Sequence, residues 1–139
     1  HFSEQKGANF MKSILESVQF IHDRNICHRD LKPNNIVFDK PNDNGILKLI
    51  DFGDAIIIHD EEENGTYVGT IHYFTPEMIQ NSKRKGWVIR KGDVYCIGVI
   101  AYVLLTGCFP FHHNDKSEIK KLIVKGNVKW PSHVKLSDN

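Results

Sequence analysis

Hydrophobic positions along the chain first follow a helical period. Ser3 offers an N-cap side chain, Glu4 suits the positive end of a helix dipole, and Phe10, Ile14, Val18 and Ile21 recur every three or four residues. An amphipathic helix from residue 3 to about 22, with one buried face, is expected. The pattern then shortens: Ile36, Val37 and Phe38, and later residues 46–50, are β-prone runs separated by the turn-forming stretch Pro41, Asn42, Asp43, Asn44, Gly45. These predict a small hairpin. Residues 53–76 are mostly polar or punctuated by glycine, apart from residues 55–58, and are long for a connection inside a compact domain; a regulated or mobile segment is expected. Asp93 precedes residues 94–105, which are apolar nearly all round. This predicts a helix capped by Asp93, ended by Gly107 and Pro110, at the centre of a core. A last amphipathic helix is expected from about residue 114 to 125, with Ile119, Leu122 and Ile123 on one face and Gly126 as its stop. The elements define a mainly α fold with short β hairpins.

Composition narrows the class. At 139 residues and 40% hydrophobic, the chain can bury a core as one domain or as one large piece of a bigger one. Its net charge of +1, with both signs spread along the sequence, gives no reason to expect nucleic acid or a membrane as partner. Cys27, Cys96 and Cys108 are odd in number, far apart and without a C-x-x-C pair. They favour a reducing compartment, cytoplasmic or nuclear, over a disulfide or zinc framework. The longest apolar run, residues 94–105, is too short to cross a bilayer, and the first residue is a histidine with no signal-like segment after it. A soluble chain cut from a longer one is expected.

The chemistry is concentrated in residues 27–38, CHRDLKPNNIVF, where an acid, a lysine and an amide fall within six positions after a hydrophobic helix. Residues 28–35 follow the pattern H-R-D-L-x-x-x-N, and Asp51, Phe52 and Gly53 supply D-F-G downstream. Thr75, Pro76 and Glu77 stand where A-P-E is expected, with Gly69 and Thr70 before them. In this order the motifs resemble the C-terminal lobe of a eukaryotic protein kinase, and the resemblance covers nearly all of the chain, residues 1–139.

That resemblance implies a protein-kinase-like fold, here a partial C-terminal lobe, and a reaction in which the γ-phosphate of ATP passes to a protein hydroxyl. Asp30 would accept or orient the hydroxyl, and Asn35 and Asp51 would hold the Mg2+ ions that bridge the phosphates. Lys32 resembles the γ-phosphate lysine of serine/threonine kinases, and Thr70 the threonine that hydrogen-bonds the acid and lysine; both favour Ser/Thr substrates. Val37 resembles the apolar residue beneath adenine, an ordinary strand residue being the alternative. His28, Phe52 and Gly53 would support the site by packing and turn geometry, Asp93 would brace the catalytic loop as a helix cap, and Glu77 would support the activation segment. Three stretches, residues 1–35, 69–78 and 93–111, are similar to the calmodulin-dependent group, especially the calcium-dependent protein kinases. They imply control by calmodulin or a calmodulin-like domain outside this chain, since the sequence contains no D-x-[DN]-x-[DN]-G loop.

Several positions depart from the pattern. Asn34 replaces a common glutamate, Asp54 a hydrophobic residue, Thr75 an alanine and Tyr95 a tryptophan. The sequence has no G-x-G-x-x-G loop and no V-A-I-K lysine, and its arginines, Arg24, Arg29, Arg84 and Arg90, include no late partner for the P-E glutamate. The fragment alone is therefore expected to be inactive. A pseudokinase or scaffold lobe that binds other proteins is the alternative, suggested by Asp54 and the absent upper-lobe motifs. Arg29 resembles the arginine that pairs with an activation-segment phosphate, to be carried by Thr66 or Tyr67. The acidic block of residues 60–63 is either a substitute for that phosphate or a solvated loop. Basic residues 83–85 and 90–91 read as an exposed connection, and His112 and His113 as surface or packing residues.

Overall fold

The structure, a computed structural model, describes residues 3–41, 45–59, 69–80, 86–132 and 134, with the side chains of residues 86–88 outside that description. The middle of the hairpin turn, the acidic block of residues 60–63, Thr66, Tyr67 and residues 83–85 lie outside the described residues. Among those described, the helices are α1 (Glu4–His22), α2 (Pro76–Ile79), α3 (Gly86–Thr106) and α4 (Lys116–Lys125). The strands are β1 (Ile26–Cys27), β2 (Ile36–Phe38), β3 (Leu47–Leu49) and β4 (Ile56–Ile57). Single 3-10 turns occupy Pro33–Asn35 and Ile71–Tyr73.

Helix α1 begins as its sequence predicts, with the Ser3 hydroxyl accepting from the Lys6 N–H at 3.4 Å. Its apolar stripe is spent on α3: Ile14 and Val18 join Cys96, Ile97, Val99 and Ile100 in the main core, and Phe10 packs at its edge. Each such side chain, fully buried, stabilises the fold by about 1.5–3 kcal/mol before ordering entropy is counted. A Cβ on Gly7 would meet Leu105 Cδ2 of α3 at 3.5 Å, an ordinary van der Waals distance, so the contact between the two helices does not require glycine there.

Helix α3 starts at Gly86, so Asp93 lies inside it and is not its cap. The carboxylate serves backbone N–H groups of another segment, which an N-cap bonded to its own helix could not do. The helix is also not enclosed on all sides, because Val94 is half exposed.

The predicted hairpin forms. Strands β2 and β3 are antiparallel with Ile36 opposite Leu49, Val37 opposite Lys48 and Phe38 opposite Leu47. A second pairing joins β1 to β4, with Ile26 opposite Ile57 and Cys27 opposite Ile56. Two-residue strands carry too little pattern to announce this pairing; the small core of Cys27, Ile58 and Ile89, with Ile56 beside it, fixes it.

Helix α4 is two residues shorter at its start than its pattern suggested, because Asp115 caps it by accepting from Ser117 N–H at 2.7 Å. Gly126 ends it at φ 70°, donating to the Leu122 carbonyl at 3.0 Å. Ile119 and Ile123 pack with Phe111 in a third cluster. Trp130 rests against Tyr102, ring centroids 5.1 Å apart, and the Tyr102 hydroxyl donates to the Lys129 carbonyl. His112 lies in a ring stack with His72, while His113 Nδ1 accepts from Asp115 N–H at 3.0 Å. No described helix is long and apolar enough to cross a membrane.

Candidate active site

The loop between β1 and β2 is held from behind by one buried carboxylate. Asp93, 1% exposed, accepts from His28 N–H on Oδ2 and from Arg29 N–H on Oδ1, both at 2.9 Å. His22 Nε2, at the end of α1, donates to Oδ2 at 2.8 Å. A buried carboxylate needs such donors, since a charge removed from water without them is strongly disfavoured. His22 was not singled out by the sequence; only its place six residues before His28, on the last turn of the helix, hinted at contact with the loop.

His28, itself fully buried, bridges the loop to the next segment. Its Nε2 donates to the Ile50 carbonyl at 3.0 Å, and its Nδ1 faces Asp30 N–H at 3.4 Å, a pair of partners that fits the Nε2–H tautomer. Phe52 stacks obliquely on this imidazole, with centroids 4.8 Å apart, while 43% of the residue remains exposed. Arg29 adopts φ 67° and Asp51 φ 61°. Non-glycine residues in this region cost about 1–3 kcal/mol each and persist where surrounding bonds over-determine them.

Arg29 is so held, by Asp93 through its N–H and by the Asp54 carbonyl, which accepts from its Nε at 2.7 Å. Asp54 therefore secures the arginine through its backbone. Phe52 keeps its contact with His28 despite the charge two residues on.

The acid at the centre is clasped by its two sequence companions. Asp30 Oδ2 accepts from Lys32 Nζ at 2.6 Å and from Asn35 Nδ2 at 3.1 Å, and Asn35 Nδ2 also donates to the Asp30 carbonyl at 2.8 Å. The 3-10 turn Pro33–Asn35 makes the spacing work by folding position 35 back over position 30. The hydrogen bond that Lys32 donates to Asp30, with further negative charge from Asp51 and Asp54, holds the Lys32 ammonium above the usual lysine range, although desolvation opposes it.

Asn35 is 4% exposed and commits its amide hydrogens to Asp30, leaving Oδ1 as its free ligand type. Its carbonyl accepts from Ile50 N–H at 3.0 Å, extending the β2–β3 register by one step and bringing Asn35 beside the segment that carries Asp51. An amide oxygen and a carboxylate brought together in this way are the hard donors that Mg2+ selects, so the residues present fit that ion. Gly53 follows closely: its N–H approaches Asp51 Oδ1 at 3.4 Å, and a Cβ on it would lie 3.3 Å from the same oxygen.

The expected bond from Thr70 to the acid and lysine is not formed. Thr70 is exposed in extended backbone and has no hydrogen bond to Asp30 or Lys32 among the described residues. Gly69 takes the place against the acid. At φ 108° it lies so close that a Cβ would sit 3.1 Å from Asp30 Oδ1. Thr75 caps α2, accepting from Met78 N–H at 3.1 Å, and is buried with Tyr73 where this segment meets α3. Glu77 lies in the first turn of α2 and is exposed. Val37 lies on β2, partly exposed.

A lobe of helices presents an acid, a lysine, an amide and a second acid on one loop and one hairpin, in the residue order of a protein kinase C-terminal lobe. The comparisons specify it: the protein kinase domain family matches residues 1–139, and the chain belongs to that family. It is 34% identical over 134 residues to an Aurora kinase of Eremothecium gossypii, covering 96% of this chain and 35% of that protein. It is 37% identical over 132 residues to CBL-interacting protein kinase 10 of Oryza sativa subsp. japonica, covering 93% and 28%. With calcium-dependent protein kinase 21 of Arabidopsis thaliana it shares 34% over 137 residues, covering 95% and 25%. The chain thus spans roughly a quarter to a third of the length of these relatives.

Proposed function

We propose that the chain is the catalytic-loop portion of an ATP-dependent serine/threonine protein kinase. The observation that carries this reading is the clasp of Lys32 Nζ and Asn35 Nδ2 on Asp30 Oδ2, with Asp51 one hairpin step away. Asp30 accepts or orients the substrate hydroxyl, its carboxylate aimed by two donors that leave Oδ1 without either bond. Lys32 stays charged through the physiological range and supplies a fixed cation beside the acid, where negative charge from the transferring phosphate is neutralised. Asn35 Oδ1 and Asp51 would hold Mg2+, which supplies charge neutralisation on ATP when bound.

Lys32 two positions after the acid favours Ser/Thr over Tyr hydroxyls. Relatives named as serine/threonine-protein kinases support the same assignment. Those named calcium-dependent or CBL-interacting favour a calcium-linked regulator, a calmodulin-like domain or separate partner outside this chain. None of the three cysteines is in a disulfide, in keeping with a cytoplasmic or nuclear protein. The 139-residue sequence has no glycine-rich loop and no V-A-I-K lysine, and by itself does not turn over.

The test extends the chain with its native upstream residues and measures phosphate transfer from Mg-ATP to a Ser/Thr peptide, wild type against Asp30→Asn. Transfer that falls at least about a hundredfold in the variant supports the assignment, the size expected for loss of a positioned acid–base group. Nucleotide binding without transfer by either protein favours the scaffold reading.

A further inference from the structure

Behind the catalytic loop, three side chains of complementary ligand chemistry converge from separate elements: His22 at the end of α1, Cys27 in β1 and Asp93 in α3. One ligand atom of each, the imidazole nitrogen, the thiol sulfur and a carboxylate oxygen, lies within 4.8 Å of the others. Among the described residues no other group of three or more His, Cys, Asp or Glu does so. Cys27 and Asp93 are buried at 0% and 1%, while 12% of the His22 side chain reaches solvent and gives the cluster an entry side. These residues were not read together in the sequence, because 66 positions separate Cys27 from Asp93 (93 − 27).

We propose that His22, Cys27 and Asp93 form a binding site for a zinc-class divalent cation that acts on the seating of the catalytic loop. Nitrogen, sulfur and carboxylate oxygen are the three donor types zinc combines, and three protein ligands leave a fourth tetrahedral position for solvent on the His22 side. Magnesium and calcium, which take all-oxygen shells, are disfavoured by the thiol and the imidazole. The cation replaces the proton shared between His22 Nε2 and Asp93 Oδ2. That proton is lost from Nε2, Nδ1 takes up a proton to keep the ring neutral, and the Cys27 thiol releases its proton as the metal–sulfur bond forms. The balance is one proton released for each cation bound. The 2.8 Å spacing of His22 and Asp93 opens to about 3.3 Å, as ligand bonds of about 2.0–2.1 Å at a tetrahedral centre require. Oδ2 is also the oxygen that accepts His28 N–H, so the cation competes with the loop for it while Oδ1 keeps Arg29.

The experiment titrates the full chain with Co2+ and follows the near-ultraviolet thiolate-to-cobalt charge-transfer band, then displaces it with Zn2+ while counting protons. A saturating band at one equivalent, one proton released, and loss of the band in Cys27→Ala are expected. His22→Gln keeps a side-chain donor for Asp93 and removes the imidazole. With circular dichroism unchanged, it should weaken Co2+ binding at least tenfold. Absence of a band at stoichiometric Co2+, a band that survives Cys27→Ala and so belongs to Cys96 or Cys108, or unchanged affinity in folded His22→Gln would each overturn the site. None of these readouts involves ATP, so the result is independent of the kinase assignment.

Discussion

Replacing Asp93 by asparagine removes one charge and changes few other atoms, which makes it a clean probe of what holds the loop between β1 and β2. In the native fold the carboxylate accepts three hydrogen bonds, from His28 N–H, Arg29 N–H and His22 Nε2, at 2.9, 2.9 and 2.8 Å. Hydrogen bonds to a charged acceptor contribute about 1.5–3 kcal/mol each. The asparagine oxygen can retain one loop N–H, now uncharged. Its NH2 group meets the other N–H donor to donor, leaving a buried N–H unpaired at about 1–3 kcal/mol. The sum is a loss of about 3–5 kcal/mol, a large part of the 5–15 kcal/mol that is roughly typical for a domain. For a chain of this size that corresponds to a fall in Tm of about 10–15 °C.

Urea and thermal unfolding of Asp93→Asn, followed by circular dichroism beside Asp115→Ala, checks the figure. The second variant loses an exposed cap bonded to Ser117 N–H and is expected to cost about 1 kcal/mol. If Asp93→Asn proves no more costly than the surface cap, the loop is not held by this carboxylate and the argument built on it fails.

The Lys32 ammonium, held by Asp30, should titrate with a midpoint above the ordinary 10.5 and move down in Asp30→Asn, read by NMR of the labelled side-chain amine. Because the folded value is raised, the pair's contribution to stability is complete below pH 10.5 and is lost as pH rises through the folded value; equal midpoints in the two proteins would refute the clasp. Gly69→Ala places a Cβ 3.1 Å from Asp30 Oδ1 at φ 108° and should destabilise by about 1–3 kcal/mol in urea, with an unchanged midpoint arguing against this close approach. Ile100→Ala, at the fully buried centre of the α1–α3 core, should cost about 2–5 kcal/mol in the same assay, and a loss below 1 kcal/mol would mean that this core is not closely packed. Of the three thiols only exposed Cys108 should react with a disulfide reagent in the native state, because Cys96 is buried with its thiol pushed up by desolvation and Cys27 is fully enclosed. Three fast-reacting thiols would show that the cores around Cys27 and Cys96 are open.

Much of this protein is determined locally. The periods of α1 and α4, the caps at Ser3 and Gly126, the β2–β3 hairpin and the order of Asp30, Lys32, Asn35 and Asp51 are all fixed by neighbours within a few residues, which is why they can be read from the chain. Position 35 meets position 30 through a single turn, so that part of the site was legible too. The rest depends on long-range packing. Asp93 reads as a cap because an acid before an apolar run is the local signature of one, whereas its carboxylate is spent on N–H groups 64 and 65 residues away. Thr70 reads as the partner of the acid, yet the left-handed turn at Gly69 brings the glycine there instead. The two-residue strands β1 and β4 carry no periodicity of their own and exist because Cys27, Ile58 and Ile89 share a core. Sequence alone determined the local elements and the order of the candidate site residues, since both are written in adjacent side chains; tertiary structure alone decided which buried carboxylate holds the loop and which residues face it, since those depend on where separate elements meet.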